Sequence, residues 1–181
     1  WEIDWILRRV REREINTRLY TVGISIGGNM MLKWLGERGV KAHGMQHGGG
    51  FQFPFGRVKL TLAFHGSALP DGANGGNPCG FHWFFKDGSR VYDAADTGLF
   101  GDMSLIGEAG VDMAFLPIGD NYTMGPDDSI RAIKLIGPKK VIPIHYGTWP
   151  VIDQDAKAWA TRVKSETSAE PIVLLPGRVY W

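Results

Sequence analysis

The sequence predicts an α/β layered sandwich, and three observations predict it. Apolar runs of strand length come first, close together and separated by glycine-rich turns. Helical periodicity then alternates with buried strands. Three strands, finally, each finish on a side chain able to hold a metal ion: His65, Asp96 and His145.

The bulk properties narrow the class. A chain of 181 residues is long enough for one well-buried core. Lys and Arg number 20 against 19 Asp and Glu, so no nucleic-acid groove is expected. A single cysteine, Cys79, excludes an internal disulfide and fits a reducing cytosol. No apolar run approaches the roughly 20 residues that span a bilayer, and no signal peptide is read at the start, so a cytoplasmic location is expected.

In chain order, Ile3, Ile6, Leu7 and Val10 fall at helical spacing, predicting an amphipathic helix over Glu2 to Arg13. Leu19 to Ile24 is a short strand, and Asn29 to Arg38 a helix closed by Gly39. Lys41 to Phe51 and Phe55 to His65 read as strands with glycine turns. Ser67 to Pro78 is a polar loop. Gly80 to Lys86 and Arg90 to Ala94 predict a hairpin across Asp87-Gly88, a dipeptide suited to a two-residue turn. A short helix over Asp102 to Gly110 leads to a buried strand, Val111 to Ile118. A helix starts at Pro126 and Asp127 and runs to Ile136. Lys139 to His145 is a strand, Asp153 to Ser165 a helix, and Ile172 to Leu175 a last strand.

Two resemblances sit on this frame. Gly23-Ile-Ser-Ile-Gly27, between a strand and a helix, resembles the nucleophile elbow of esterase-like α/β-hydrolases, and that resemblance implies Ser25 as a nucleophile. It covers only residues 1 to about 38. From about residue 40 the chain is similar to the C-terminal part of metallo-β-lactamase-fold hydrolases, nearest the metal-dependent hydrolases related to ascorbate-phosphate lactonase. The motifs are Phe55-Gly-Arg-Val-Lys-Leu-Thr61 with His65 and Ser67, Asp96-Thr-Gly-Leu-Phe100, Leu116-Pro-Ile-Gly-Asp-Asn-Tyr-Thr-Met-Gly-Pro126 and Val141-Ile-Pro-Ile-His-Tyr146. The resemblance implies a truncated metallo-β-lactamase-like αββα sandwich, with His65, Asp96 and His145 as metal ligands and Asp96 bridging two ions. The family's His-x-His-x-Asp-His region has no counterpart in residues 1–39. The chain therefore reads as a chimera: a grafted helix–strand–helix over 1–39, then a metallo-β-lactamase-like part over 40–181.

The expected function is metal-dependent hydrolysis of an ester-like small molecule: a phosphoester, phosphotriester, lactone or activated ester. Imidazole and carboxylate together suit zinc, with manganese or iron as alternatives. Such a metal brings the pKa of its water to roughly 7 and so supplies hydroxide near neutral pH. Asp96 and His145 are the expected catalytic residues. His47, in a glycine-rich loop, is a further candidate ligand, though a turn histidine is the plainer reading. His43 reads as a strand residue, His82 as sheet packing, Cys79 as a small buried residue and Asp93 as a supporting carboxylate. Asp120, Tyr122 and Thr123 follow a strand, where substrate contacts or turn formers arise. Two alternatives stand beside the hydrolase: a metal-free serine esterase using Ser25, and an inactive self-associating remnant. Loss of the family's N-terminal strands leaves an apolar face or edge uncovered, so a homodimer or higher homo-oligomer is expected.

Overall fold

The computed structural model describes Gly39, residues 43–69 and residues 71–175. The chain divides into two compact units, Trp1–His43 and Gly44–Trp181. The expected helices Glu2 to Arg13 and Asn29 to Arg38, the strand Leu19 to Ile24 and the elbow with Ser25 lie outside the described residues. Gly39 has φ +62°, the left-handed conformation expected of a glycine closing a helix.

In the second unit the described strands form one mixed sheet whose spatial order follows the chain: β1 (Gly50–Phe53), β2 (Gly56–Leu62), β3 (Cys79–Phe85), β4 (Arg90–Asp93), β5 (Met113–Pro117), β6 (Lys140–Ile144) and β7 (Glu170–Pro171). The first four pair antiparallel, because turns and loops connect them directly. From β4 onward the pairing is parallel. Parallel neighbours need crossovers, and these are α1 (Met103–Glu108), α2 (Pro126–Ile136) and α3 (Ala156–Glu166).

Alternation along the strands decides which side the helices cover. Tyr92, Ala114, Leu116 and Val141 are buried in one cluster with Met103, Ile106, Ile130, Ile133, Trp159 and Val163 of the helices. Each fully buried Leu or Ile contributes about 1.5–3 kcal/mol. The Trp159 indole keeps a partner in this core, donating to Ser129 Oγ at 3.3 Å.

The helix ends follow their sequence signals. Pro126 opens α2, Asp127 and Asp128 occupy its first turn, and Gly137 at φ +62° closes it. Asp155 caps α3, its side chain accepting from the amides of Lys157 and Ala158 at 2.9 Å each. A single 3-10 turn, Pro150–Ile152, precedes it.

Several expectations shift. Residues 43–49 are turn and loop, so the strand expected over Lys41 to Phe51 begins only at Gly50, and His43 lies in a loop. The hairpin loop runs from Lys86 to Ser89, four residues rather than two. Its Asp87 carboxylate accepts from both the Ser89 amide (2.9 Å) and the Ser89 hydroxyl (2.6 Å), which widens the turn. The last strand is Glu170–Pro171, not Ile172 to Leu175. The ladder reaches Ile172, whose amide donates to the Val141 carbonyl at 2.8 Å. The next donor on β6 would be residue 143, a proline without an N–H, and pairing stops there.

His82 is sheet packing, as expected. It is buried, with its ring 4.2 Å from that of Phe84 and 6.2 Å from that of Tyr92. Burial pushes its pKa down to about 4, so the ring is neutral near pH 7. Cys79, half-buried at the start of β3, has its thiol pKa raised by the same cause.

Candidate metal and catalytic site

The site lies where β4 and β6 end. After β4 the chain turns through Ala95, a non-glycine at φ +55°, and delivers Asp96. After β6 it turns at His145 itself, at φ +53°. Two side-chain-bearing residues in the left-handed region, each at a strand end, mark local strain held by the surrounding fold. The strain brings the two side chains together: His145 Nε2 stands 3.9 Å from Asp96 Oδ2, with both side chains more than four-fifths buried (18% and 16% exposed).

That separation is too long for a hydrogen bond, so neither atom uses the other as a partner. It is close to what two donors on one ion require. Arms of about 2.1 Å at a tetrahedral angle put donor atoms about 3.4 Å apart. The opposite ring nitrogen, His145 Nδ1, is buried with no hydrogen-bond partner. Gly119 packs against it, since a Cβ there would lie 3.0 Å from Nδ1. The imidazole therefore offers Nε2, and only Nε2, to the Asp96 side.

Neighbouring turns fasten this arrangement. Asp93, at the end of β4, accepts from the Ala95 amide at 2.9 Å and so shapes the turn that carries Asp96. Burial raises its pKa, the Ala95 hydrogen bond opposes the rise, and the Asp96 charge adds to it. It is the supporting carboxylate that its position suggested. Thr97, fully buried, accepts from the Phe64 amide at 2.8 Å, while the Gly98 amide donates to the Phe64 carbonyl at 3.0 Å. The Met124 amide donates to the Thr97 carbonyl at 2.8 Å, tying in the loop after β5. The Gln154 side-chain amide donates to the Gly119 carbonyl at 3.3 Å.

His65 does not stand in the same contact as the pair. Its segment reaches the site's edge through Phe64, but β2 ends at Leu62, three residues short of it, and the ring hydrogen-bonds the adjacent Gly66 carbonyl at 2.8 Å through Nδ1. Among the described residues no three His, Cys, Asp or Glu side chains converge to hold a metal. Among the described residues one imidazole and one carboxylate are brought together, His145 and Asp96. The pair fits a metal in donor type and spacing, as part of a coordination shell. His47 likewise does not join it, because its Nε2 is 2.7 Å from the Pro78 carbonyl oxygen.

The three residues after β5 divide. Asp120 and Asn121 are consecutive left-handed residues (φ +59° and +52°), and Asp120 Oδ1 accepts from the Asn121 amide at 2.8 Å. Thr123 hydroxyl faces the Met124 carbonyl at 3.3 Å. Asp120 and Thr123 thus take part in the turn, and Tyr122 is the large exposed side chain on it, 56% exposed. Sequence reasoning missed Gly119, Thr97 and Trp149. The Trp149 ring makes an edge contact with His145, centroids 6.1 Å apart. Its place four residues after His145 was the one available signal.

Comparison with known proteins shows the family of the chain. A family model described as Beta-lactamase superfamily domain matches residues 7–146. The match reaches back into the stretch that resembles the hydrolase elbow. The UPF0173 metal-dependent hydrolase of Symbiobacterium thermophilum is 49% identical over 150 residues, 81% of this chain and 65% of its own length. That of Pelotomaculum thermopropionicum is 48% identical over 147 residues, 78% of this chain and 64% of its own length. Among solved structures, Igni18, a novel metallo hydrolase from the archaeon Ignicoccus hospitalis, matches with a TM-score of 0.71 at 36% identity. That match covers 82% of this chain and 64% of Igni18. The chain thus spans a little under two thirds of the length of these relatives. With its α/β metallo-β-lactamase-like fold, mixed sheet and flanking helices, it belongs to the Beta-lactamase superfamily domain family, among relatives named UPF0173 metal-dependent hydrolases.

Proposed function

We propose that this chain is a metal-dependent hydrolase of ester-like substrates, with Asp96 and His145 as its metal-holding pair. The observation that supports this most is the 3.9 Å approach of His145 Nε2 to Asp96 Oδ2 on two strained strand ends. A bound divalent metal, zinc by the donor set, supplies Lewis acidity and lowers the pKa of water. The chain's own residues do the rest. Asp96 contributes a carboxyl oxygen donor that, among the described residues, no amide or hydroxyl engages. His145 contributes Nε2, kept in one orientation by the packing of Gly119 against Nδ1. Asp93 and Thr97 hold the turn that sets the direction of Asp96.

Two donors are fewer than a catalytic zinc site uses, which is three protein ligands and one open position. His65 supplies the third in this reading, by exchanging its Gly66 contact for the ion. A homodimer that places a second copy's donors at the same rim would complete the shell in another way.

Metal content per chain tests the reading. Purified protein loaded with zinc should retain it through gel filtration, and Asp96→Ala and His145→Ala should each weaken zinc binding at least tenfold in a competition with a chromogenic chelator. His65→Ala should weaken it too. Equal zinc affinity in wild type, Asp96→Ala and His145→Ala would sink the proposal. Hydrolysis of an activated ester, lost on chelation and regained with zinc, is the matching activity assay.

A further inference from the structure

Three large aromatic residues stand exposed on segments that adjoin the Asp96–His145 pair: Phe64 and Tyr122, each 56% exposed, and Trp149, 46% exposed. Exposed aromatics scattered singly need no explanation. These are not scattered. Each sits on a turn hydrogen-bonded to the site or in ring contact with it. Phe64 is bonded through its amide to Thr97 Oγ1 and through its carbonyl to the Gly98 amide, immediately after Asp96. Tyr122 lies in the loop joined to the Thr97 carbonyl by the Met124 amide. Trp149 meets the His145 ring edge-on, and its carbonyl accepts from the Ile152 amide at 3.1 Å. Their backbones are therefore fixed, the Phe64 ring rests edge-on against Phe100 with centroids 5.6 Å apart, and about half of each residue is exposed, an arrangement that costs little entropy when a flat ligand is taken up.

Charge limits what that ligand is. The four segments that build this rim, residues 63–78, 93–107, 117–130 and 143–156, contain no lysine or arginine. They do contain eight aspartates besides Asp96, among them Asp93, Asp120 and Asp153. Sites that take phosphate monoesters ordinarily bring guanidinium or ammonium groups to the phosphate oxygens. Among the described residues these segments bring none, so a metal on the pair would be the one positive charge they offer a dianion, and the aromatic faces and carboxylates around it oppose that charge.

We propose that Phe64, Tyr122 and Trp149 form an aromatic wall that receives the uncharged aromatic or apolar arm of the substrate, so that the site takes neutral esters or lactones and not phosphate monoesters. This deepens the hydrolase reading and rests on it for the fate of the bound molecule, but the recognition is measurable without turnover.

The test uses the full chain and two unreactive or slow probes, acetanilide as a neutral amide analogue of an aryl ester and phenyl phosphate as the dianion. The Trp149 indole N–H signal, assigned with Trp149→Phe, should shift saturably with acetanilide and should not shift with phenyl phosphate. In turnover, p-nitrophenyl acetate should be cleaved in preference to p-nitrophenyl phosphate. Trp149→Ala should raise KM for the acetate about tenfold with kcat within about twofold, as expected for loss of one aromatic contact. Trp149→Phe should keep most of the affinity, which guards against a variant that merely misfolds. An indole signal indifferent to acetanilide, or phenyl phosphate bound as tightly as acetanilide, overturns the wall. Acetanilide binding at Trp149 without hydrolysis of either ester leaves the wall standing and removes the hydrolase.

Discussion

Gly119 lies directly against His145: a Cβ on Gly119 would fall 2.2 Å from the His145 carbonyl oxygen and 3.0 Å from its Nδ1. The first of these atoms is backbone, and no rotamer change can move it aside. His145 is already in the left-handed region, so its strained turn has little room to yield. Gly119→Ala should therefore cost about 2–3 kcal/mol, the range for overpacking that the backbone must absorb. Urea unfolding measures it, with Gly101→Ala as the control. A Cβ on Gly101 meets nothing within 4 Å, and that change should stay within about 0.5 kcal/mol of wild type. Equal midpoints for the two variants would show that the Gly119 contact is slack. The same substitution should lower zinc retention, because the ring that carries Nε2 moves with its carbonyl.

Thr97 is the peg that joins the His65 segment to the Asp96 turn. Its buried hydroxyl accepts from the Phe64 amide at 2.8 Å and donates to the Gly98 carbonyl at 2.8 Å. Thr97→Val keeps the shape and removes both bonds, leaving a Phe64 amide without its acceptor. The cost should be about 1–3 kcal/mol. Hydrogen exchange localises the effect: the Phe64 amide should exchange faster in the variant, while that of Leu60, which donates to the Gly49 carbonyl at 2.9 Å, should not. Unchanged exchange at Phe64 would mean that the segment is held by something other than Thr97.

Much of the fold was legible because local chemistry announces it. Pro126 and Gly137 bracket α2, and the apolar run of β5 forms a strand with Ala114, Leu116 and Pro117 buried. Part of the candidate site was legible for the same reason, since Asp96 and His145 each follow a strand of the sheet. His65 was misplaced by the continuing apolar run Leu62-Ala-Phe64, which reads as strand. The ladder ends at Leu62 because its partner Cys79 is the first residue of β3, and that limit belongs to the pairing and not to the segment. Gly119 was invisible for a related reason. No spacing rule says which of 25 glycines will lie under an imidazole brought from 26 residues further on. The left-handed turns at Ala95 and His145 were equally hidden, because alanine rarely adopts that conformation and histidine, though enriched there, adopts it in only a small share of its positions.

His82 makes stability depend on pH with a definite sign. Burial lowers its folded-state pKa from 6.5 to about 4, so the unfolded chain holds the extra proton between those values. Stability is therefore fully present above pH 6.5, declines as pH falls towards 4, and is level below that. The shift corresponds to about 3 kcal/mol at most, and about half of that once a charged ring draws in water and neighbouring charges are screened. Other titrating groups contribute to the same curve, so the measurement is a difference: urea unfolding of wild type and His82→Phe at pH 7.5, 5.5 and 4.5. Phenylalanine keeps the ring packing on Phe84 and cannot take a proton. The variant should gain on wild type by about 1.5 kcal/mol between pH 7.5 and 4.5. Parallel curves for the two proteins would show that His82 is protonated as readily in the folded sheet as in the open chain.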